Sequence, residues 1–421
     1  MKRNAALLIH YYFPPIHSIG CMRNVAFTHE WYSHVDYLKV LTTTNRNILP
    51  SDASHSVDHY DIEELRTNDY RTQRAKNNPT TMHYDESAKS GYLRRLAVKT
   101  IHTYPVNLWM GEGGRDYIRH GVEAGSKYLE EHPDAYIYSS FRPYSDHAIA
   151  AKLKAKYPRT TWIADFRDAD IDPLYKLYLH RGWQERFNKN ILKLADKVVT
   201  VSDGVSAILS KYHHNVVTIN NGVKVRPPVP HYQKYTIAYT GSLYGDHRDP
   251  LPLLQAIKEL IDNQDITSDQ LQLIYAGKDG VQYQTLTTEQ GLGDLLDNRG
   301  MVSSGEALEI QSKAHCNLLL TSAIAGYTGI LTGKLYEYIG AGNQILTLVN
   351  GIRDSEIDRM VDDYSLGHVH YTSEDSVSQL ATAIKSNIKR WTDNQEVKGI
   401  NIDSIKNTLS WTSQFQKLIT N

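Results

Sequence analysis

Apolar residues in this chain gather in short continuous runs, and between them lie glycine-bearing loops and stretches of helical spacing. A run apolar on both faces is what a buried parallel strand needs, and Ala5–Ile9 reads that way; Tyr37–Thr43 alternates and carries Val40 and Leu41, and 135–139, Thr161–Phe166, 197–201 and 216–219 read as further strands. Helical spacing over 22–31, 117–131, 148–157, 183–195 and 205–212 fills the gaps. Residues 44–91 are polar and aperiodic, and are expected to form a long insertion or mobile loop. Strand alternating with helix predicts a doubly wound α/β domain. The prolines of 226–231 break the alternation, since they can neither donate to a sheet nor continue a helix, and mark a linker there. A second alternation follows, with strands at 236–239, Leu271–Ala276, 316–320, 345–349 and Gly367–Tyr371 and helices at 251–263, 305–314 and 376–389. Residues 401–420 carry apolar side chains at helical spacing and predict one terminal helix that packs elsewhere. The domains expected are therefore 1–225 and 232–400, with 401–421 as an appendage.

The second half centres on Gly326-Tyr-Thr-Gly-Ile-Leu-Thr-Gly-Lys-Leu-Tyr-Glu-Tyr-Ile-Gly-Ala-Gly342. This segment joins the strand at 316–320 to the strand at 345–349 through a loop and a short helix over 334–339. Thr332 suits the N-cap, and Gly340 and Gly342 suit the stop. In an open parallel sheet such a loop lies at the carboxyl ends of the strands, and a helix start offers unpaired N–H groups to an anion. A phosphate is the expected ligand.

Composition narrows the partners. The chain of 421 residues balances Lys+Arg 46 against Asp+Glu 47, which gives no bulk reason to expect nucleic acid. Cys21 and Cys316 are the only cysteines, so neither a disulfide framework nor a cysteine-based zinc cluster can be built. No apolar stretch is long enough to span a bilayer. The expected setting is a reducing cytoplasm, with the protein soluble or attached at the inner face of a membrane. Residues 92–110 mix Leu93, Leu96, Val98, Ile101 and Trp109 with Arg94, Arg95 and Lys99. Such a segment fits a membrane surface or an ordinary surface helix.

Several motifs in order carry a family resemblance: Tyr11-Tyr-Phe-Pro-Pro15 with Gly20, Trp162-Ile-Ala-Asp-Phe-Arg-Asp168, Thr200-Val-Ser-Asp203, Asn221-Gly222, Tyr239-Thr-Gly-Ser-Leu-Tyr244, Gly333-Lys-Leu-Tyr-Glu-Tyr-Ile-Gly-Ala-Gly342 and Ser410-Trp411. Together they resemble the GT-B glycosyltransferases, and within them the family-four-like retaining enzymes of the glycosyl transferases group 1 type. The resemblance runs over nearly the whole chain. It implies two Rossmann-like doubly wound domains facing across a cleft, a terminal helix returning to the first domain, and a nucleotide-sugar donor held mainly by the second. The implied acceptor is a saccharide or a lipid-linked saccharide in surface polysaccharide synthesis, with neither a metal nor another cofactor.

Residue by residue, the resemblance implies that Glu337 accepts both ribose hydroxyls. Gly329, Ile330, Leu331, Thr332 and Gly333, with Lys334, would wrap the diphosphate and the sugar. Gly241, Ser242, Arg248 and Lys278 would lie by the donor, and Gly20 would let the opening loop approach it. In the first domain His147 would sit over the sugar, and Asp165 and Arg167 would orient the acceptor hydroxyl or the sugar. A helix-start histidine capped by Asp146, and an Arg167 paired structurally to an adjacent aspartate, are the competing readings. Two departures stand out. Gly329 occupies the position where many members carry a sugar-reading glutamate, and Ser242 stands where an arginine is common. The pairs Asp168/Asp170 and Asp170/Asp172 also spell a metal-binding Asp-x-Asp; alongside a metal-independent resemblance they read as acidic loop residues. A sugar-nucleotide epimerase of the same architecture and a non-catalytic partner protein remain as rival functions.

Overall fold

The computed structural model describes residues 4–16, 19–45, 57–72, 92–168, 179–243, 248–393 and 400–420, and the pair Asp170 and Asp172 lies outside them. The chain divides into two compact units: residues 1–220 with 414–421, and residues 221–413.

In the first unit seven parallel strands run β1 (Ala5–Ile9), β2 (Tyr37–Thr43), β3 (Asp61–Leu65), β4 (Tyr136–Phe141), β5 (Thr161–Phe166), β6 (Lys197–Thr200) and β7 (Val216–Thr218). Their order in the sheet is β3-β2-β1-β4-β5-β6-β7. The crossovers carry α1 (Ile19–His34), α2 (Tyr92–His102), α3 (Val106–Trp109), α4 (Gly114–Glu131), α5 (Tyr144–Lys156), α6 (Arg181–Leu192) and α7 (Asp203–Leu209). All five residues of β1 are buried, as a central strand covered on both faces requires. Gly20 lies inside the first turn of α1, not in the loop before it. The polar region 44–91 is not all loop either: β3 pairs in parallel with β2 from Lys39↔Asp61 to Thr43↔Leu65. Its sequence Asp-Ile-Glu-Glu-Leu hides the strand because an edge position tolerates charge, and Lys39 meets both Asp61 and Glu63.

In the second unit six parallel strands follow, β8 (Tyr235–Thr240), β9 (Leu271–Ala276), β10 (Leu296–Gly300), β11 (Cys316–Ala323), β12 (Gln344–Gly351) and β13 (Gly367–Tyr371), ordered β10-β9-β8-β11-β12-β13. Between them run α8 (Leu251–Asp262), α9 (Gly280–Glu289), α10 (Ser304–Lys313), α11 (Gly333–Ala341) and α12 (Ser355–Tyr364), and α13 (Val377–Thr392) and α14 (Ile402–Thr408) come after β13. Periodicity assigns nothing between 281 and 301, yet most of α9 and the edge strand β10 lie there; β10 carries one apolar residue, Leu296. Alternation along the strands feeds two cores. Leu318, Leu320, Leu346 and Leu348 pack with Leu253, Ile257, Leu380 and Ile384 on one face. Leu319, Ile345 and Val349 pack with Leu335, Ile339, Ile357 and Val361 on the other.

The proline-rich segment is tied into the second unit. The Arg226 N–H donates to the Gly340 carbonyl at 2.8 Å, and a Cβ on Gly340 would lie 2.7 Å from the Lys224 carbonyl oxygen. Gly340 therefore serves close approach, and only Gly342, with φ of 80°, takes the left-handed stop of α11. The single terminal helix is in fact two, α14 and α15 (Trp411–Thr420). Ser410 interrupts them, and its hydroxyl accepts the Ser413 N–H at 3.2 Å, an N-cap that starts the second helix. Phe415 then meets Trp31 edge-on at 5.0 Å in the first unit.

Candidate functional site

A crevice opens in a doubly wound sheet where two neighbouring strands send their chains to opposite sides. In the second unit that point lies between β8 and β11, which pair only at Cys316↔Ile237 and Asn317↔Ala238. Beyond these residues side chains take the place of the missing ladder. The Thr240 N–H donates to the Tyr338 hydroxyl at 3.2 Å, and Gln311 Nε2 donates to Thr240 Oγ1 at 2.9 Å.

Glu337 stands over this point, just past the first turn of α11. Its Oε2 accepts Lys334 Nζ at 2.7 Å and Gln311 Nε2 at 3.0 Å, and its carbonyl accepts Arg226 Nη2 at 3.0 Å. Arg226 also donates to Gln311 Oε1 at 3.1 Å. Gln311 is fully buried, so the carboxylate is fixed from below, while the Glu337 side chain keeps 33% of its exposure. Oε1 accepts no hydrogen bond from the described residues. A held carboxylate with one oxygen spare and a cation alongside can accept a pair of hydroxyls.

The loop before α11 is built rather than slack. Gly326 and Gly329 take φ of 80° and 73°. The Gly329 N–H donates to Asp354 Oδ2 at 2.6 Å, the Leu331 N–H donates to the Gly329 carbonyl at 3.0 Å, and Leu331 itself is buried. Those two N–H groups are spent inside the protein, so of the loop expected to wrap the ligand, Gly329 and Leu331 offer it no backbone donor. Ile330, Thr332 and Gly333 are half-buried. The N–H groups of Gly333 and Lys334, first in α11, have no acceptor among the described residues, as the start of a helix leaves them. Thr332 is the N-cap by position, yet its hydroxyl caps nothing and is buried with no partner.

Gly241 and Ser242 continue β8. The Gly241 N–H donates to the Ala276 carbonyl at 2.9 Å, and the Ser242 carbonyl accepts the Tyr239 hydroxyl at 2.7 Å. Arg248 Nη1 reaches the same Ser242 carbonyl at 3.5 Å, and Lys278 is exposed on the turn after β9. The structure thus joins Glu337 and Lys334 directly and places Thr332 at the start of the same helix, with Gly241 and Ser242 continuing the neighbouring strand. Sequence reasoning missed Gln311, Arg226 and Asp354. Asp354 had a readable signal, an Asp before Ser-Glu-Ile, and it caps α12 through Oδ1 to the N–H groups of Glu356 and Ile357 at 3.0 and 3.4 Å. Gln311 had none, since a buried glutamine on a helix is visible only once its partners are known.

The first-unit candidates are placed differently from expectation. Asp165 is fully buried and forms a two-point pair with Arg23 at 2.8 and 2.9 Å, and it also accepts the Tyr138 hydroxyl at 2.5 Å. It presents nothing to an acceptor. Among the described residues Arg167 pairs with neither Asp165 nor Asp168: its Nε donates to the Phe141 carbonyl at 2.8 Å and its guanidinium lies over the Tyr12 ring. His147 is fully buried beside Phe166 and Trp162, with Nδ1 2.8 Å from Ser139 Oγ and Nε2 without a partner. Asp146 does not cap it; it accepts the Tyr11 N–H and the Tyr117 hydroxyl. Among the described residues no group of three or more His, Cys, Asp and Glu side chains converges as a metal site would need.

No family model matches the chain, and no curated protein matches it in sequence. Solved structures do match over its whole length. The lipopolysaccharide outer core galactosyltransferase WaaB in its apo form superposes with a TM-score of 0.58 at 13% identity, covering 99% of each chain. Sucrose-phosphate synthase from Thermosynechococcus elongatus gives 0.59 at 12% identity over 99% of this chain and 97% of that one. TarM gives 0.59 at 9% identity over 99% and 98%. At these identities the likeness is one of fold, and the fold is GT-B.

Burial of two histidines has a pH consequence. Burial pushes His10 and His147 down from 6.5 to about 3, so each stays neutral in the folded protein and gains a proton on unfolding. Stability is then retained above pH 6.5 and falls as pH drops towards 3, each histidine adding up to about 1.4 kcal/mol per pH unit to the slope. Denaturant titrations between pH 4 and 7 are expected to show a shallower decline in His147→Phe than in the wild type.

Proposed function

We propose that this chain is a retaining glycosyltransferase that takes a sugar from a nucleoside diphosphate and delivers it to a saccharide or lipid-linked saccharide. The observation that carries the reading is Glu337, held over the strand-parting point with one oxygen spare, half a helix from the unclaimed N–H groups of Gly333 and Lys334. Solved structures of the same fold include a galactosyltransferase and a sucrose-phosphate synthase, which supports sugar transfer as the class of chemistry.

In this reading the ribose hydroxyls donate to Glu337, and the diphosphate lies on the start of α11. Lys334, paired with Glu337 here, turns to the phosphate when the ribose takes its place. The N–H groups and the lysine stabilise the negative charge that grows on the departing nucleoside diphosphate. Gly329, with no side chain, adds no carboxylate beside the sugar, so backbone groups supply the contacts there. No protein nucleophile and no metal are invoked. Arg248 and Lys278 are assigned as further cations for the diphosphate, and Arg167 as a group that orients the acceptor hydroxyl or the sugar.

Calorimetric titration with UDP, GDP and ADP tests the reading. One of them is expected to bind, and Glu337→Ala to weaken it by about 2 kcal/mol, roughly thirtyfold, as loss of a charged hydrogen bond to ribose requires. Binding of none overturns it and favours the non-catalytic alternative. Release of free sugar nucleotide epimer without any acceptor would favour the epimerase.

A peripheral membrane contact belongs to the same proposal. Trp109 and Trp183 are 62% and 58% exposed, and Tyr104, Leu96 and Leu179 are also open. Tyr104 stacks on Phe187 of α6 at 4.5 Å, and the Leu179 N–H donates to Thr103 Oγ1, which brings these segments into one apolar region with Lys99 nearby in sequence. Tryptophan beside basic residues suits the headgroup region of an anionic bilayer. Flotation with phosphatidylglycerol vesicles is expected to carry the wild type and lose most of Trp109→Ser/Trp183→Ser, and phosphatidylcholine to carry neither; equal flotation of both proteins would remove this part.

A further inference from the structure

We propose that Asp354 is the positioning residue of the donor loop, acting through Gly329 rather than by touching the ligand. This inference rests on the nucleotide reading above. Asp354 ends the segment after β12, and its carboxylate is 1% exposed. Its two oxygens divide their work. Oδ1 caps α12 through the Glu356 and Ile357 N–H groups, and Oδ2 accepts the Gly329 N–H at 2.6 Å, across 25 residues of sequence.

A charge-assisted bond of this length fixes the peptide before Gly329. Gly329 then turns with φ of 73°, its carbonyl accepts the Leu331 N–H, and the buried Leu331 side chain closes the segment. With both ends held, the peptides that follow have one course, and they deliver Thr332, Gly333 and Lys334 to the start of α11. The Tyr371 hydroxyl lies 3.1 Å from the Asp354 carbonyl oxygen and 2.7 Å from Asp358 Oδ1, so the carboxylate-bearing turn is itself braced from β13. One buried carboxylate therefore links the shape of the phosphate-facing loop to the end of the next strand. It also explains the glycine at 329: a side chain there would have to adopt a left-handed backbone against a fixed N–H.

Asp354→Asn separates the two jobs. Its side-chain oxygen can still cap α12, whereas its NH2 group faces the Gly329 N–H, donor against donor. Two readouts are taken on the full chain. In the ligand-free protein, hydrogen exchange of the Gly329 and Leu331 amides is expected to accelerate at least tenfold while the Ile357 amide is unchanged. In titrations, whichever of UDP, GDP and ADP the wild type binds is expected to bind about tenfold more weakly, and its parent nucleoside, which lacks phosphates, to bind as before. General destabilisation would weaken both ligands alike. Unchanged exchange at Gly329, or equal losses for nucleoside and diphosphate, overturns the inference alone. A wild type that binds none of the three overturns the nucleotide reading and the inference with it.

Discussion

A parallel sheet opens a crevice only where neighbouring strands send their chains to opposite faces, and in the second unit β8 and β11 part after two paired residues. Everything in the candidate site follows from that parting. Backbone groups left without a ladder must be satisfied by side chains, and the Tyr338 hydroxyl accepts the Thr240 N–H while Gln311 donates to the Thr240 hydroxyl beside it. Gln311, committed there and to Arg226, in turn holds Glu337. The carboxylate is therefore positioned by the same polar network that closes the core beneath it. Removing Gln311 would disturb the fold and the site at once.

The loop leading to α11 obeys a second constraint. Its N–H groups are divided between structure and solvent: those of Gly329 and Leu331 are consumed internally, and those of Gly333 and Lys334 are left over. A loop that offered all of them would have nothing to hold it in place. Pinning through Asp354 leaves fewer donors but gives them a defined direction, which is what stabilising a developing charge requires.

Much of this was legible in the chain because a parallel sheet writes a strong signal. The all-apolar Ala5–Ile9 could hardly be anything but a buried strand, and the alternation of such runs with helices led directly to two doubly wound units. The same physics explains what stayed hidden. β3 and β10 lie at sheet edges, where charge is tolerated and hydrophobic patterning fades. Glu337 and Lys334 could be read from their helix start, whereas Gln311 meets Arg226 across 85 positions of sequence and Arg226 meets Glu337 across 111. In the first unit, Asp165 near the end of β5 and His147 in the helix after β4 occupy places that suggest a site, but their side chains turn inward. Asp165 answers the buried Arg23, a partner 142 positions away that no local pattern announces.

On the proposed reading Glu337 holds ribose while the start of α11 holds the diphosphate, and Lys334, 2.7 Å from Glu337, turns from the carboxylate to the phosphate. The most direct measurement is a crystal structure of the protein with a bound nucleoside diphosphate. The account predicts both ribose hydroxyls within hydrogen-bonding distance of Glu337, phosphate oxygens on the Gly333 and Lys334 N–H groups, and Lys334 turned from Glu337 to the phosphate. A nucleotide bound elsewhere, or bound here with the Lys334–Glu337 pair intact and Glu337 away from the ribose, would contradict it.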